Sequence, residues 1–145
     1  MGAKQANCGF LSRLLELCEN SPEIEFEPGK LIIEQDRPLG HLFILVEGEV
    51  EIVKDGTKIC RISKGGSAFG EMSALLGVHP TASVLAVKKS RLVAVEDSVA
   101  FLSKNIEVTL EIARLLADRV RWLTVNYAEE IDDGDSAFWR SLIGR

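Results

Sequence analysis

Phe69-Gly70-Glu71-Met72-Ser73-Ala74-Leu75-Leu76 interrupts a long β-rich region with a glycine, an acid and about one turn of helix-forming residues. A glycine-bearing loop that opens directly into a helical turn leaves the first backbone N–H groups of that turn without internal partners. Such groups attract an anion, above all a phosphate. Gly70 permits close approach of a ligand to the backbone. An ionised Glu71 only accepts hydrogen bonds, so it suits a sugar hydroxyl a few ångströms beyond the phosphate. Glycine, acid and helix start together fit a ribose-phosphate. Taken on physical grounds alone, the same residues fit a barrel corner with a solvated glutamate equally well.

The flanking sequence on both sides is strand-like. Ile24, Phe26, Leu31–Ile33, Leu42–Val46, Val50, Ile52 and Val53 are rich in branched and aromatic side chains, and Glu49-Val50-Glu51-Ile52 alternates as a half-buried strand does. Turn signals recur at Pro28-Gly29, Asp36-Arg37-Pro38, Glu47-Gly48, Asp55-Gly56 and Gly65-Gly66. Asp55-Gly56 between two strand-like runs predicts a type I′ hairpin. Ala82 to Val87 and Arg91 to Val95 return to strand character after the helical turn. Many short strands at such spacing predict a mainly β fold, an antiparallel jelly-roll barrel flanked by helices.

An N-terminal helix is expected from about Gly9 to Asn20, stopped by Ser21-Pro22. Beyond Glu96 the pattern is helical, with Asp97 or Ser98 capping a short helix and Asn105 capping a longer one that runs to about Glu130. On the long helix Val108, Ile112, Leu116, Val120, Leu123 and Tyr127 are read as one apolar stripe, which packs on the barrel or also pairs with a partner copy. The expected segments are therefore 1–22 (N-terminal helix), 23–96 (barrel), 97–131 (C-terminal helices) and 132–145 (an acidic break and short helix carrying Phe138 and Trp139).

Composition narrows the function. The chain has 145 residues, 46% hydrophobic and 27% charged, with a net charge of -5. Duplex-binding proteins ordinarily present a basic face. The one close basic cluster here, Lys88, Lys89 and Arg91, reads as a solvated turn. No stretch is long enough to span a bilayer, and the N-terminus lacks signal-peptide and myristoylation patterns. Cys8, Cys18 and Cys60 fit neither a disulfide framework nor a zinc spacing and read as reduced cytoplasmic thiols. His41 and His79, far apart, supply neither a metal ligand set nor a nucleophilic triad. No enzyme, no catalytic residue and no metal site are expected.

Together with their order, three further motifs carry a resemblance: Phe26-Glu27-Pro28-Gly29-Lys30-Leu31-Ile32, Leu42-Phe43-Ile44-Leu45-Val46-Glu47-Gly48-Glu49-Val50, and Gly65-Gly66-Ser67-Ala68-Phe69-Gly70-Glu71. From Phe26 to Tyr127 the sequence resembles the cyclic-nucleotide-binding domain family, which includes the sensor domain of the catabolite activator protein and protein kinase A regulatory subunits. The resemblance implies a regulatory module whose ligand is cyclic AMP or cyclic GMP, a phosphate-binding cassette over 65–84 and C-terminal lid helices. It also implies a ligand site formed by Phe69, Gly70, Glu71, Met72, Ser73, Thr81, Ala82 and Ser83, with Glu71 on the ribose hydroxyl.

The sequence departs from that pattern at one point. The family's cassette ends in Pro-Arg followed by small residues, and the arginine holds the cyclic phosphate. Here the end reads His79-Pro80-Thr81-Ala82-Ser83-Val84, and neither Pro80 nor Thr81, the two residues that align with it, is cationic. Loss of that charge-assisted contact implies weak nucleotide binding. His79 reads as a turn histidine. Arg114, Arg119 and Arg121 lie on the long helix that covers the ligand in this family, where one of them reaches in or, as helical arginines ordinarily do, all face solvent. The alternative expectation is an interaction module that binds a partner protein, or a second copy through the long helix, without nucleotide. The residues after the acidic break are too few to build the helix-turn-helix domain of the family's transcription factors, so no nucleic-acid partner is expected. A bacterial cytoplasm is the expected setting.

Overall fold

The computed structural model describes residues 4–5 and 13–130, with side chains over 13–126. Strands β1 (Lys4–Gln5), β3 (Leu31–Ile33), β5 (Val50–Lys54), β6 (Thr57–Ile62) and β8 (Ser83–Ala86) form one sheet in the order β1-β6-β5-β8-β3. Strands β2 (Glu23–Phe26), β4 (Leu42–Glu47), β7 (Ala68–Phe69) and β9 (Ser90–Val95) form the other, in the order β2-β9-β4-β7. All pairings are antiparallel except β1 with β6. Helices α1 (Leu14–Leu17), α2 (Glu71–Leu76), α3 (Ser98–Lys104) and α4 (Ile106–Glu130) flank the sheets. This is the expected jelly roll.

The run Leu42–Leu45 lacks alternation because β4 is buried on both faces. Leu42 and Ile44 pack with Leu14, Val108, Ile112 and Leu115 of the helices, whereas Phe43 and Leu45 face the barrel interior with Val50, Ile62 and Leu92. Strand β9 divides in the same way, Val93 and Val95 outward, Leu92 and Ala94 inward. The second sheet is thus the shared wall between barrel and helical layer, and a wall of this kind reads as continuous apolar sequence.

Two turns are fixed by their chemistry. Asp55 and Gly56 have φ of 50° and 79°, as the type I′ hairpin between β5 and β6 requires. Gly48, between β4 and β5, has φ of 117°, and a Cβ there would collide with Ser90. The Ser90 hydroxyl accepts from the Glu49 N–H at 3.1 Å and donates to the Lys88 carbonyl at 2.9 Å, so it has little room to yield. The basic cluster is not a patch: Lys88 pairs with Glu49, Lys89 with Glu25 and Glu27, and Arg91 with Glu23 and Glu47.

Several expectations for the helices are corrected. Among the described residues the first helix is only Leu14–Leu17, shorter than the expected span to Asn20, and β1 precedes it; residues 9–12 of the expected helix lie outside the description. Neither Asp97 nor Ser98 caps α3 with its side chain; the Ser98 hydroxyl donates instead to the Gly40 carbonyl at 3.2 Å. Asn105 does not cap α4 either. Its amide donates to the Phe101 carbonyl at 2.8 Å and closes the end of α3. The α4 stripe is also displaced. Val108, Ile112 and Leu115 are buried while Val120 is 56% exposed. Repeated steps of four advance about 40° each on a helix of about 100° per residue, so a stripe drawn that way winds off the packed face. Residues from 131 onward, with the expected terminal helix, lie outside the description.

Buried Glu111 on α4 ties the layers together: it accepts the Arg13 backbone N–H at 3.1 Å and an Arg114 guanidinium N–H at 2.8 Å. The backbone hydrogen bond from Arg13, then the Arg114 hydrogen bond, hold its carboxyl below the usual glutamate range against the opposing effect of burial.

Gly48→Ala should lower the free energy of unfolding by about 2 kcal/mol or more, measured by denaturant titration; a loss below about 0.5 kcal/mol would contradict the Ser90 contact. A depressed carboxyl stabilises the fold above its unfolded value of about 4.3 and loses that contribution as pH falls through the folded value. Stability measured from neutral pH downward should therefore fall less steeply below about pH 4.3 in Glu111→Gln than in the wild type. Parallel acid limbs would show that Glu111 carries no linkage.

Candidate ligand-binding site

Strand β7 runs out at Phe69, where it pairs with Phe43 of β4, and α2 begins two residues later. The chain makes this corner at Gly70, whose φ is 86° and whose hypothetical Cβ would stand 2.7 Å from the His41 carbonyl oxygen. Only glycine meets both demands without strain. The corner turns Glu71 inward, where it is 5% exposed.

Glu71 looks into a cavity of about 470 Å³ bounded by three surfaces. The first sheet contributes an apolar floor that includes Ile33, Ile52, Ile62 and Val84. The cassette contributes Phe69 to Ser73 and Pro80 to Ala82. Helix α4 closes the cavity with Arg119, Trp122, Leu123 and Asn126. Val108, Ile112, Leu115, Arg119, Trp122 and Asn126 follow one another in alternating steps of four and three, the spacing that keeps residues on one helix face. That face is apolar where it meets the second sheet and becomes cationic, aromatic and amide-bearing where it reaches the cavity.

Among the described residues, Glu71 and Arg119 are the only charged ones on the cavity wall. They meet directly: one Arg119 Nη donates to Glu71 Oε1 at 2.7 Å, and the other donates to the Ala68 carbonyl at 2.8 Å. Of the other two lid-helix arginines, Arg114 pairs with Glu111 and Arg121 with Asp118. The Cys60 thiol, also on the wall, is pushed up by burial, pulled down by the Arg119 charge and pushed up by Glu51.

Seven of the eight expected ligand residues come together: Phe69, Gly70, Glu71, Met72, Ser73, Thr81 and Ala82 line the cavity. Ser83 does not; its hydroxyl accepts the Gln35 N–H at 2.9 Å and fastens β8 to the loop after β3. The cassette end is fastened too, through the Pro80 carbonyl and the Asp36 N–H at 2.8 Å. No cation stands on that segment, and exposed His79 is not on the wall. Trp122, Asn126 and Cys60 were not expected at the site. Among the described residues no group of His, Cys, Asp and Glu is arranged to hold a metal ion, and no helix is long and apolar enough to cross a membrane.

The sequence pattern of the family described as "Cyclic nucleotide-binding domain" matches residues 23–101, more than half of the chain. The chain belongs to the cyclic-nucleotide-binding domain family. Its matches among characterised proteins include the cGMP-dependent protein kinase egl-4 of Caenorhabditis briggsae, 28% identical over 87 residues that make up 60% of this chain and 12% of the kinase. Human cGMP-dependent protein kinase 2 is 32% identical over 74 residues, 51% of this chain and 10% of the kinase. The chain thus spans only about a tenth of these relatives. Among solved structures, the catabolite activator protein of Thermus thermophilus superposes with a TM-score of 0.64 at 24% identity, covering 83% of this chain and 60% of that one. That likeness establishes the cyclic-nucleotide-binding fold.

Because burial dominates at Cys60, its thiol should react with iodoacetamide at pH 8 several-fold more slowly than a free cysteine in a Cys8→Ser background. Labelling as fast as a free thiol would contradict its place on the cavity wall.

Proposed function

We propose that this domain is a regulatory module that binds cyclic AMP or cyclic GMP, with low affinity, in the cavity under α4. The observation that carries the reading is Glu71: a buried carboxylate, turned inward by Gly70, facing a largely apolar cavity of nucleotide size. An acceptor-only group there suits the ribose hydroxyl. Trp122 and Leu123 offer the base an apolar cover, and the Asn126 amide both donates and accepts at the base edge.

Low affinity follows from the cassette end. Pro80, Thr81 and Ala82 give the phosphate at most one hydroxyl and backbone N–H groups. Truncating one side of a buried charge pair costs roughly 2–5 kcal/mol, or about 30-fold to a few thousand-fold in affinity. A bacterial cytoplasm with reduced thiols is the setting that goes with this reading.

A second reading, an interaction module without nucleotide, is favoured by the same cation-free segment and by exposed apolar side chains on α4, Ile106, Leu110, Val120 and Val125. A partner protein, or a second copy pairing through α4, would cover them.

Calorimetric titration with each cyclic nucleotide separates the two. The first reading expects saturable heat with a dissociation constant in about the micromolar to millimolar range, abolished in Glu71→Ala while the circular dichroism spectrum is retained. Absence of heat at millimolar ligand from folded protein would overturn it and favour the second. Retained affinity in Glu71→Ala would overturn the ribose assignment.

A further inference from the structure

The cassette lacks a cation, yet the cavity does not. Arg119 arrives from α4, 48 residues along the chain from Glu71, and its guanidinium stands inside the same cavity as Thr81 and Ala82. Among the described residues, two of its five N–H donors are used, one on Glu71 and one on the Ala68 carbonyl. Its side chain is 26% exposed, so the charge is partly desolvated and its field is not fully screened. The same charge opposes, without overcoming, the upward push of burial on the Cys60 thiol of the neighbouring wall.

We propose that Arg119 is the anion-recognising residue of this cavity, supplying from the lid helix part of the positive charge that the cassette has lost; because it is shared with Glu71, affinity stays below that of a dedicated cassette arginine. The inference rests on the cyclic-nucleotide reading of the site. Glu71 and Arg119 satisfy each other, which is how two opposite charges persist beside Ile33, Ile52 and Val84. A cyclic nucleotide offers a partner to each: its ribose hydroxyl donates to Glu71, and its phosphate accepts from the remaining Arg119 N–H groups. Arg119 then bridges carboxylate and phosphate or exchanges the first for the second. In either case the anion is held by α4 and not by the barrel, so charge recognition and seating of the lid helix become a single event. Guanidinium geometry suits this role because its donors diverge in a fixed plane toward two acceptors.

The test compares the cyclic nucleotide that the wild type binds better with the nucleoside of the same base, which keeps the base and ribose hydroxyls but lacks the phosphate. Both are titrated by calorimetry into wild type, Arg119→Gln and Arg119→Lys, each checked for folding by thermal melt. Arg119→Gln should weaken the cyclic nucleotide by about 30-fold or more and the nucleoside by less than about threefold. Arg119→Lys, which keeps the charge without the planar fork, should fall between wild type and Gln for the nucleotide alone, and it decides the matter if the Gln variant fails to fold. Equal losses for nucleotide and nucleoside would show that Arg119 only positions Glu71 or the lid; this overturns the inference and leaves the nucleotide reading standing. A wild type that binds neither ligand overturns the nucleotide reading and the inference with it.

Discussion

The left-handed turn at Gly70 is the constraint on which the site depends. Strand β7 is only two residues long and ends against β4, so the chain must pass from strand to helix within one residue at the mouth of the barrel. The His41 carbonyl lies so close that no Cβ fits at Gly70. The turn sets where Glu71 points, and burial of Glu71 creates a demand for positive charge that water cannot meet. Arg119 meets it from α4. Its position depends in turn on the packing of Val108, Ile112 and Leu115 against the outer face of β4 and β9. Barrel, cassette and lid are thus linked through one corner and one ion pair.

That ion pair matters more for recognition than for stability. A buried pair gains little net free energy over a well-packed apolar alternative, whereas removing one partner alone costs about 3–5 kcal/mol. The hydrophobic wall of β4 and β9, buried on both faces, contributes to both halves of the apolar core without any help from the ion pair. The cavity is then free to hold a polar arrangement that is satisfied within the protein and can be satisfied differently by a ligand. An exchange of this kind places the cost of opening the ion pair against the gain of two ligand contacts, which is consistent with modest affinity.

The fold was legible in the sequence because its signals are local. Asp55-Gly56 specifies the hairpin, Gly48 the tight passage from β4 to β5, and Gly70-Glu71 the corner before α2; each expectation was met within a residue or two. The cassette half of the site was legible for the same reason, apart from Ser83, whose hydroxyl is taken by the Gln35 backbone. The lid half was not. Val108, Ile112, Leu116 and Val120 attract the eye as equal apolar steps of four, but the packed face advances in steps of four and three through Leu115 to Arg119. Reading the face by that spacing would have placed Arg119, Trp122 and Asn126 together. Nothing local distinguishes Arg119 from Arg114 and Arg121, whose acids lie three residues away on the same helix; the acid that holds Arg119 lies 48 residues away. Side-chain capping failed at Asp97, which sits in the left-handed region and makes no cap hydrogen bond, and at Ser98 and Asn105, whose side chains donate to the Gly40 and Phe101 carbonyls.

Occupation of the cavity by one ligand that engages both cassette and lid is the central expectation. An amide NMR spectrum of the intact chain, titrated with cyclic AMP and with cyclic GMP, tests this most directly. The predicted result is saturable shifts in Gly70 to Ser73, Thr81 and Ala82 on the cassette and, with the same midpoint, in Arg119 to Asn126 on α4. Saturable shifts confined to surfaces outside the cavity, or none in either group at millimolar ligand, would contradict it.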